Sequence, residues 1–327
     1  MPANLPPAYH DAEERLRVAK SAEEKIAALE EMLAIMPKHK GTDHLQGDLR
    51  ARIAKLRKQP SKKAGAHTFS HIIPKEGAGQ VALAGPPNSG KSSLVTRLTH
   101  ARPEIAEHPF TTRQPTPGMM PFEDIAFQLI DLPPLSEERV ESWVFDLIRR
   151  ADLIWLVVES ASSLDGIDLV RRILEPKRVK IFPAGSRTPD ESTLGWLHKP
   201  GLLVVTGVDR LHDPGDLAAL RDLLDAPWPL IPVSSLSGEG IEDLRRRTFD
   251  ALGVLRVYTK QPGKPADHSR PFTLWRGATV GDLAAMIHKE LYEKMRYARI
   301  WGKAVFDGQT VQREHVLSEG DVVEIHS

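Results

Sequence analysis

The stretch Gly85-Pro-Pro-Asn-Ser-Gly90-Lys91-Ser92-Ser93 constrains this chain more than any other. It fits the spacing G-x-x-x-x-G-K-[ST], and its flanks fit as well. The apolar run Gln80-Val-Ala-Leu-Ala84 before it suits a buried strand, and Leu94-Val-Thr-Arg-Leu98 after it begins a helical pattern. Strand, glycine loop and helix start are the parts of a polyphosphate cradle. Gly85 and Gly90 let backbone N–H groups approach phosphates, and the helix N-terminus offers free donors with a partial positive charge. Pro86, Asn88, Ser89 and Ser93 complete the loop. Lys91 is placed to reach the β- and γ-phosphates, and the Ser92 hydroxyl to hold Mg2+. A glycine turn that merely happens to precede lysine would leave the strand and helix flanks unexplained.

The chain has 327 residues, enough for two or three domains and a sizeable core. Its 44 basic and 44 acidic residues cancel, so any nucleic-acid surface must be a local patch. With no cysteine, disulfides, thiolate catalysis and cysteine-rich zinc sites are excluded. The histidines are scattered without metal-ligand spacing beside a carboxylate cluster, so they add no metal site to the expected Mg2+. The start, Met1-Pro-Ala-Asn-Leu-Pro-Pro, lacks the pattern of a signal peptide. The longest apolar run, Leu153-Ile-Trp-Leu-Val-Val158, falls far short of the about 20 residues that span a bilayer. A soluble cytoplasmic protein without a membrane partner is the expectation.

Helical periodicity covers Tyr9 to about Met36 and again Asp43 to Lys58, with a break at Met36-Pro37-Lys-His-Lys-Gly41. The two segments suit an antiparallel hairpin. Residues 38–63 carry a net charge of +7. A basic amphipathic hairpin of this kind lies well along a phosphate backbone, although a solvated helix face would look the same. A linker at Gln59-Pro-Ser-Lys-Lys follows.

Beyond the glycine loop, strand and helix signals alternate. His108 to Gly118 is polar, proline-rich and without period. Such a segment can order around Mg2+ and a γ-phosphate through a threonine hydroxyl. Asp124-Ile-Ala-Phe-Gln-Leu-Ile-Asp131 reads as a strand delivering Asp131 at its end, where a metal-facing carboxylate belongs. Ser136 then reads as the N-cap of a helix with Glu137 and Glu138 in its first turn and a stripe of Val140, Val144 and Leu147. Buried strands are expected at 151–159, 179–183, 202–206 and 230–233, with helices at 167–174 and 240–252. This order predicts a doubly wound, mostly parallel α/β sheet with ligands at the strand C-termini.

The order of Gly85–Ser92, Phe110-Thr-Thr-Arg-Gln-Pro, Asp131-Leu-Pro-Pro, Thr206-Gly-Val-Asp209 and Ser234-Ser-Leu resembles the five motifs of small GTPases. The wording Gly-Pro-Pro-Asn-Ser-Gly-Lys-Ser-Ser-Leu and Pro-Phe-Thr-Thr is similar to the Obg family, in its DRG branch. His44-Leu-Gln-Gly-Asp-Leu-Arg-Ala-Arg resembles that branch's helical arm. Val257-Tyr-Thr-Lys-Gln-Pro-Gly-Lys, Ile287-His-Lys-Glu-Leu and Tyr297-Ala-Arg-Ile-Trp-Gly resemble its C-terminal TGS domain, a small β-grasp fold. The resemblance implies a helical arm over 1–75, a P-loop G domain over 76–253 and a TGS domain over 254–327. It implies GTP and GDP as ligands, Thr112 on Mg2+, Asp131 behind a water of that ion and Asp209 as guanine reader. Ser234, Ser235 and Leu236 would line the base, and Asn88 sits where potassium-stimulated relatives bind K+. Ribosome or RNA contact through the arm and TGS domain, with an activating or stabilising protein partner, is implied too.

Departures from the family pattern matter as much. Gly207 stands where a lysine packs on the base, and Thr206 where an asparagine ties neighbouring loops, each loss costing on the order of 1 kcal/mol. Pro134 stands where a glycine N–H meets the γ-phosphate, and proline has none. Leu135 follows in place of a water-orienting glutamine, which implies slow hydrolysis. The family's strand insertion between the third and fourth motifs looks short or missing at 184–200. Two readings stay open: a slow Mg2+-dependent GTPase using in-line water attack, with Lys91, Thr112 and Asn88 around the γ-phosphate, and a nucleotide-binding scaffold that no longer switches. An ATPase is argued against by Asp209.

In the last segment, strands are expected at 255–258, 271–275 and 321–326, with a Thr279-capped helix from Val280 to about Leu291. Lys289, Lys294, Arg296 and Arg299 could form a basic face beside Tyr292, Tyr297 and Trp301. We expect those aromatics in the core.

Overall fold

The computed structural model describes residue 16 and residues 22–36, 43–58, 73–99, 115, 117–138, 140–186, 195–211, 213, 215–224 and 226–327. Two compact units are present, residues 1–70 and 71–327.

In the first unit, α1 (Ala22–Ile35) and α2 (Asp43–Lys58) form a helix pair. Leu29, Met32 and Met36 meet Leu49 and Ile53 in one apolar cluster. The i, i+3, i+4 spacing of these residues explains the pairing. Of the expected first helix, residues 9–15 and 17–21 lie outside the described residues.

The second unit begins with the sheet around the glycine loop. β1 (Gln80–Ala84) leads into α3 (Lys91–Leu98), and β2 (Pro117–Phe122) turns back into β3 (Ile125–Asp131). There follow α4 (Ser142–Arg150), β4 (Leu153–Glu159), α5 (Ser163–Leu174), β5 (Val179–Pro183), β6 (Leu197–Thr206), α6 (Gly215–Leu223), β7 (Leu230–Val233) and α7 (Ile241–Leu252). The strand order is β2-β3-β1-β4-β6-β5, with β7 pairing a different part of β6. β2 and β3 pair antiparallel, and every other pair in this sheet is parallel. Each face of the parallel core is covered. Ala82, Ile130, Ile154 and Leu203 pack toward α4 and α5, while Val81, Leu83, Leu129 and Trp155 pack toward α3 and α7. Runs that are apolar on both faces are what a parallel sheet between helix layers requires. The parallel register brings Gly85, Asp131, Glu159, Thr206 and Ser234 to one edge of the sheet, since Leu83 aligns with Asp131 and Thr206 with Glu159 and Val233.

One helix begins elsewhere than the sequence suggests. Ser136 caps nothing, because α4 starts at Ser142 with Glu141 before it and no side-chain cap. Pro133 and Pro134 bias the chain toward extended backbone, and Leu135 is fully buried while its N–H donates to Gly85 O at 3.0 Å. The segment is thereby held extended, and Val140 packs on the core from outside the helix.

The C-terminal sheet contains β8 (Val254–Thr259), β9 (Asp267–Trp275), β10 (Tyr297–Trp301), β11 (Gln309–Val311) and β12 (Val322–His326), in the order β11-β10-β12-β8-β9. α8 (Val280–Ile287) covers one face through Val280, Leu283 and Ala284. Thr279 caps it in a reciprocal capping box with Asp282. The expected single helix to Leu291 is instead two. His288 is extended, and its ring accepts a hydrogen bond from Glu290 N–H, starting α9 (Lys289–Lys294). The aromatic expectation also fails. Tyr292, Tyr297 and Trp301 lie outside the core cluster. Arg313 covers the Tyr292 ring, His326 stacks on Tyr297 at 4.5 Å, and Lys260 sits 4.1 Å above Trp301. Cations and a histidine give these rings partners outside the core.

The TGS-like portion is joined to the first sheet by a cluster of charge. Arg256 on β8 bonds Glu123 and Asp124 in the β2–β3 turn and Glu319 in the turn before β12. Tyr258 adds a hydrogen bond to Asp124 at 2.5 Å.

Candidate functional site

The loop after β1 is shaped by two glycines. A Cβ on Gly85 would collide with the Val157 carbonyl oxygen of the adjacent strand. Gly90 has φ +82, in the left-handed region, and opens α3 with no side-chain cap. The first-turn N–H groups of α3 therefore have neither intrahelical partners nor a capping side chain, which suits an anion. Asn88 at the loop tip is exposed and also left-handed, φ 60, a conformation asparagine tolerates better than most residues.

Lys91 lies folded into this loop, 6% exposed. Its Nζ donates to Gly85 O at 3.0 Å, Pro86 O at 2.8 Å and Ser89 Oγ at 3.1 Å. Burial pushes the Lys91 ammonium down to about 8, with Asp131 opposing the shift. A bound polyphosphate favours the charged form and raises this value, so binding takes up a proton above pH 8. Nucleotide affinity is therefore expected to be flat below about pH 8 and to fall by up to about tenfold per unit above it. Titration calorimetry between pH 7 and 9 checks this, and a flat profile would contradict it.

Ser92 Oγ donates to Asp131 Oδ2 at 2.6 Å. Asp131 Oδ1 is buried with no hydrogen-bond partner among the described residues. A hydroxyl and a carboxylate held together, with one carboxylate oxygen unspent, is a donor set that fits Mg2+ and its water shell. Thr112 lies outside the described residues. Among the described residues no group of three or more His, Cys, Asp or Glu side chains could hold another metal.

Thr206, expected to lose the tie between loops, keeps it. Its Oγ1 donates to Ser89 O at 2.9 Å and lies 3.3 Å from Val158 O, so β6 is fastened to the phosphate loop and to β4. The short side chain suffices because Gly90 lets it approach: a Cβ there would meet three Thr206 atoms at 3.1–3.3 Å. Asp209 sits in the turn after β6, where the nearby Ser234 hydroxyl holds its carboxyl below the usual carboxylate range. Ser234 is fully buried, and its Oγ also accepts from Ser237 N–H at 3.0 Å. Leu236 is 82% exposed on the same loop. The structure thus gathers Lys91, Ser92 and Asp131 as one group and Asp209 and Ser234 as a second. Sequence reasoning missed Glu159 and Arg210, which pair at 2.8 Å beside Gly207. The only hint was a cation immediately after Asp209 in a motif that had lost its lysine.

The sequence model of the family described as "50S ribosome-binding GTPase" matches residues 80–182, and that of the TGS domain matches residues 255–327. An uncharacterised GTP-binding protein of Methanocaldococcus jannaschii is 30% identical over 93% of this chain and 92% of its own length. Developmentally-regulated G-protein 1 of Arabidopsis thaliana is 27% identical over 92% of this chain and 90% of its own. The chain belongs to the DRG-type GTP-binding proteins. Ribosome-interacting GTPase 1 of Saccharomyces cerevisiae is also similar, 26% identical over 92% of this chain and 98% of that one. The alignment to the archaeal relative spans 362 positions against 327 residues here, so the relative carries segments that this DRG-type chain lacks. The description as a G domain followed by a TGS domain agrees with the two sheets and their contents.

Proposed function

We propose that this DRG-type protein is a slow, Mg2+-dependent GTPase that works on the ribosome or another RNA. The observation that carries the reading is the convergence, at one sheet edge, of the Lys91–Ser92–Asp131 group and the Asp209–Ser234 pair. The first group is suited to a triphosphate and the second to the guanine edge. Mg2+ would be held by Ser92 and, through water, by Asp131, with Thr112 as a further ligand. When bound, it would supply positive charge against the charge that develops on the phosphates. Lys91 would hold phosphate oxygens from the loop. Leu135 is apolar and fully buried and offers no group to orient water, which supports slow turnover. Asn88 is the proposed K+ ligand. We assign residues 1–75 to the arm, 76–253 to the G domain and 254–327 to the TGS domain, in a cytoplasmic protein; no described helix is long and apolar enough to cross a membrane.

Steady-state phosphate release from GTP and ATP, in K+ and in Na+, tests the enzymatic reading. Turnover of GTP over ATP is expected, faster in K+. Ribosome contact is supported by the +7 segment and by what one relative is named for. Co-sedimentation with ribosomes is expected to weaken when residues 1–63 or 254–327 are removed, and unchanged co-sedimentation after both deletions would refute it.

A second reading, a nucleotide-binding scaffold that does not switch, is favoured by one observation. The segment after Asp131 is fastened to the phosphate loop by Leu135 N–H on Gly85 O, and Pro134 offers no N–H to a γ-phosphate. Tight GTP binding without turnover would select this reading, and Pro134→Gly would then be the change expected to restore turnover.

A further inference from the structure

The proposed guanine reader, Asp209, meets only the edge of a base. A carboxylate accepts two donors in the plane of a ring, and the faces of that ring stay open to water unless neighbouring groups cover them. Position 207 offers no side chain for this purpose. Gly207 is left-handed, φ +73, at the start of the turn that carries Asp209. The space where its side chain would begin is already filled. A Cβ there would run into the Arg210 guanidinium, with Cζ and Nε at 3.2 Å and Nη2 closer still. Arg210 is held in this position by Glu159 at the end of β4, at 2.8 Å, and its backbone N–H closes the turn onto Gly207 O at 3.0 Å. The arginine side chain remains 65% exposed, so the guanidinium is anchored at one end while much of it stays open. Its positive charge also reaches Asp209 and helps hold that carboxyl ionised.

We propose that Arg210, positioned by Glu159 over Gly207, stacks its guanidinium on one face of the guanine whose edge Asp209 reads. The guanidinium is planar, weakly hydrated and suited to aromatic faces. It supplies affinity without reading the base edge, so it acts on every purine alike, while Asp209 supplies the choice among them. Glu159 is a positioning residue, since it meets the arginine and not the base. The assignment rests on the guanine reading given above, and its test separates the two.

Binding of GDP and ADP to the full chain is measured by calorimetry for the wild type, Arg210→Ala, Glu159→Gln and Asp209→Asn. Arg210→Ala is expected to weaken both nucleotides by about tenfold, leaving the GDP-to-ADP ratio unchanged. Glu159→Gln should give a smaller loss of the same kind. Asp209→Asn should instead lower the ratio. If Arg210→Ala binds GDP as the wild type does while Asp209→Asn still lowers the ratio, the stacking role is overturned and the guanine reading stands. If the wild type does not prefer GDP to ADP, the guanine reading falls and the stacking role with it. A loss in Arg210→Ala confined to GDP would also overturn the proposal, because it would make the arginine an edge reader.

Discussion

Replacing Lys91 with alanine is expected to weaken GTP by about a hundredfold or more, and GDP by about tenfold or more, while leaving the ligand-free fold nearly as stable as before. The two halves of this expectation have separate causes. A charge-assisted hydrogen bond to a phosphate is worth about 1.5–3 kcal/mol, and Lys91 is placed for contacts to two phosphates. Stability is a different matter. The ammonium is buried and held at about pH 8, so its charged form is not at ease in the ligand-free loop. Removing it leaves Gly85 O still accepting from Leu135 N–H, and the loop's glycines still satisfied in their backbone conformations. A thermal melt should therefore show little change without nucleotide, and the rise in Tm that GTP gives the wild type should largely vanish. A variant that still gains that rise would show that the phosphates bind elsewhere.

The same loop marks where the sequence was most legible. Its spacing and its strand and helix flanks name the fold because few other arrangements use a left-handed glycine before a lysine that opens a helix. Buried parallel strands were legible for the same reason, as runs such as Leu153–Val158 have no polar face to confuse the period. β2 was not legible. Pro117-Gly-Met-Met-Pro-Phe122 carries two prolines and a glycine, which argue against a strand in isolation. It is an edge strand, where an absent N–H faces no partner. The early helix start at Ser136 failed because cap residues are local signals, whereas the burial of Leu135 and its bond to Gly85 are long-range. In the site, comparing Thr206 with asparagine by length missed that Gly90 allows a close approach. Arg210 was hidden because its guanidinium reaches its place by folding back over a residue with no side chain.

Arg256→Ala is expected to lower the melting temperature of the full chain by roughly 5–10 °C and to expose the connection between the two sheets to proteolysis. Arg256 is only 14% exposed at its side chain and answers three carboxylates, Glu123, Asp124 and Glu319. Its guanidinium also lies over Phe249, 5.2 Å from the ring centroid. Truncation removes these contacts and leaves the carboxylates facing one another, which places the cost at about 2–4 kcal/mol. Burial alone would push Asp124 up, but hydrogen bonds from Tyr258 and Arg256 outweigh it and hold the carboxyl below its ordinary value. A carboxyl lowered in the folded state gives stability that is present above its unfolded value and lost as pH falls through the folded one. The wild type should thus lose this contribution below about pH 4, and Arg256→Ala should lack most of it at every pH. The difference in Tm between the two should narrow on acidification. Since Glu123 and Asp124 form the turn between β2 and β3, and β3 ends at Asp131, the docking of the C-terminal sheet bears directly on a hairpin of the nucleotide site. A melt within 1 °C of the wild type at neutral pH would mean that the charge cluster is ornamental and the sheets are held by the chain alone.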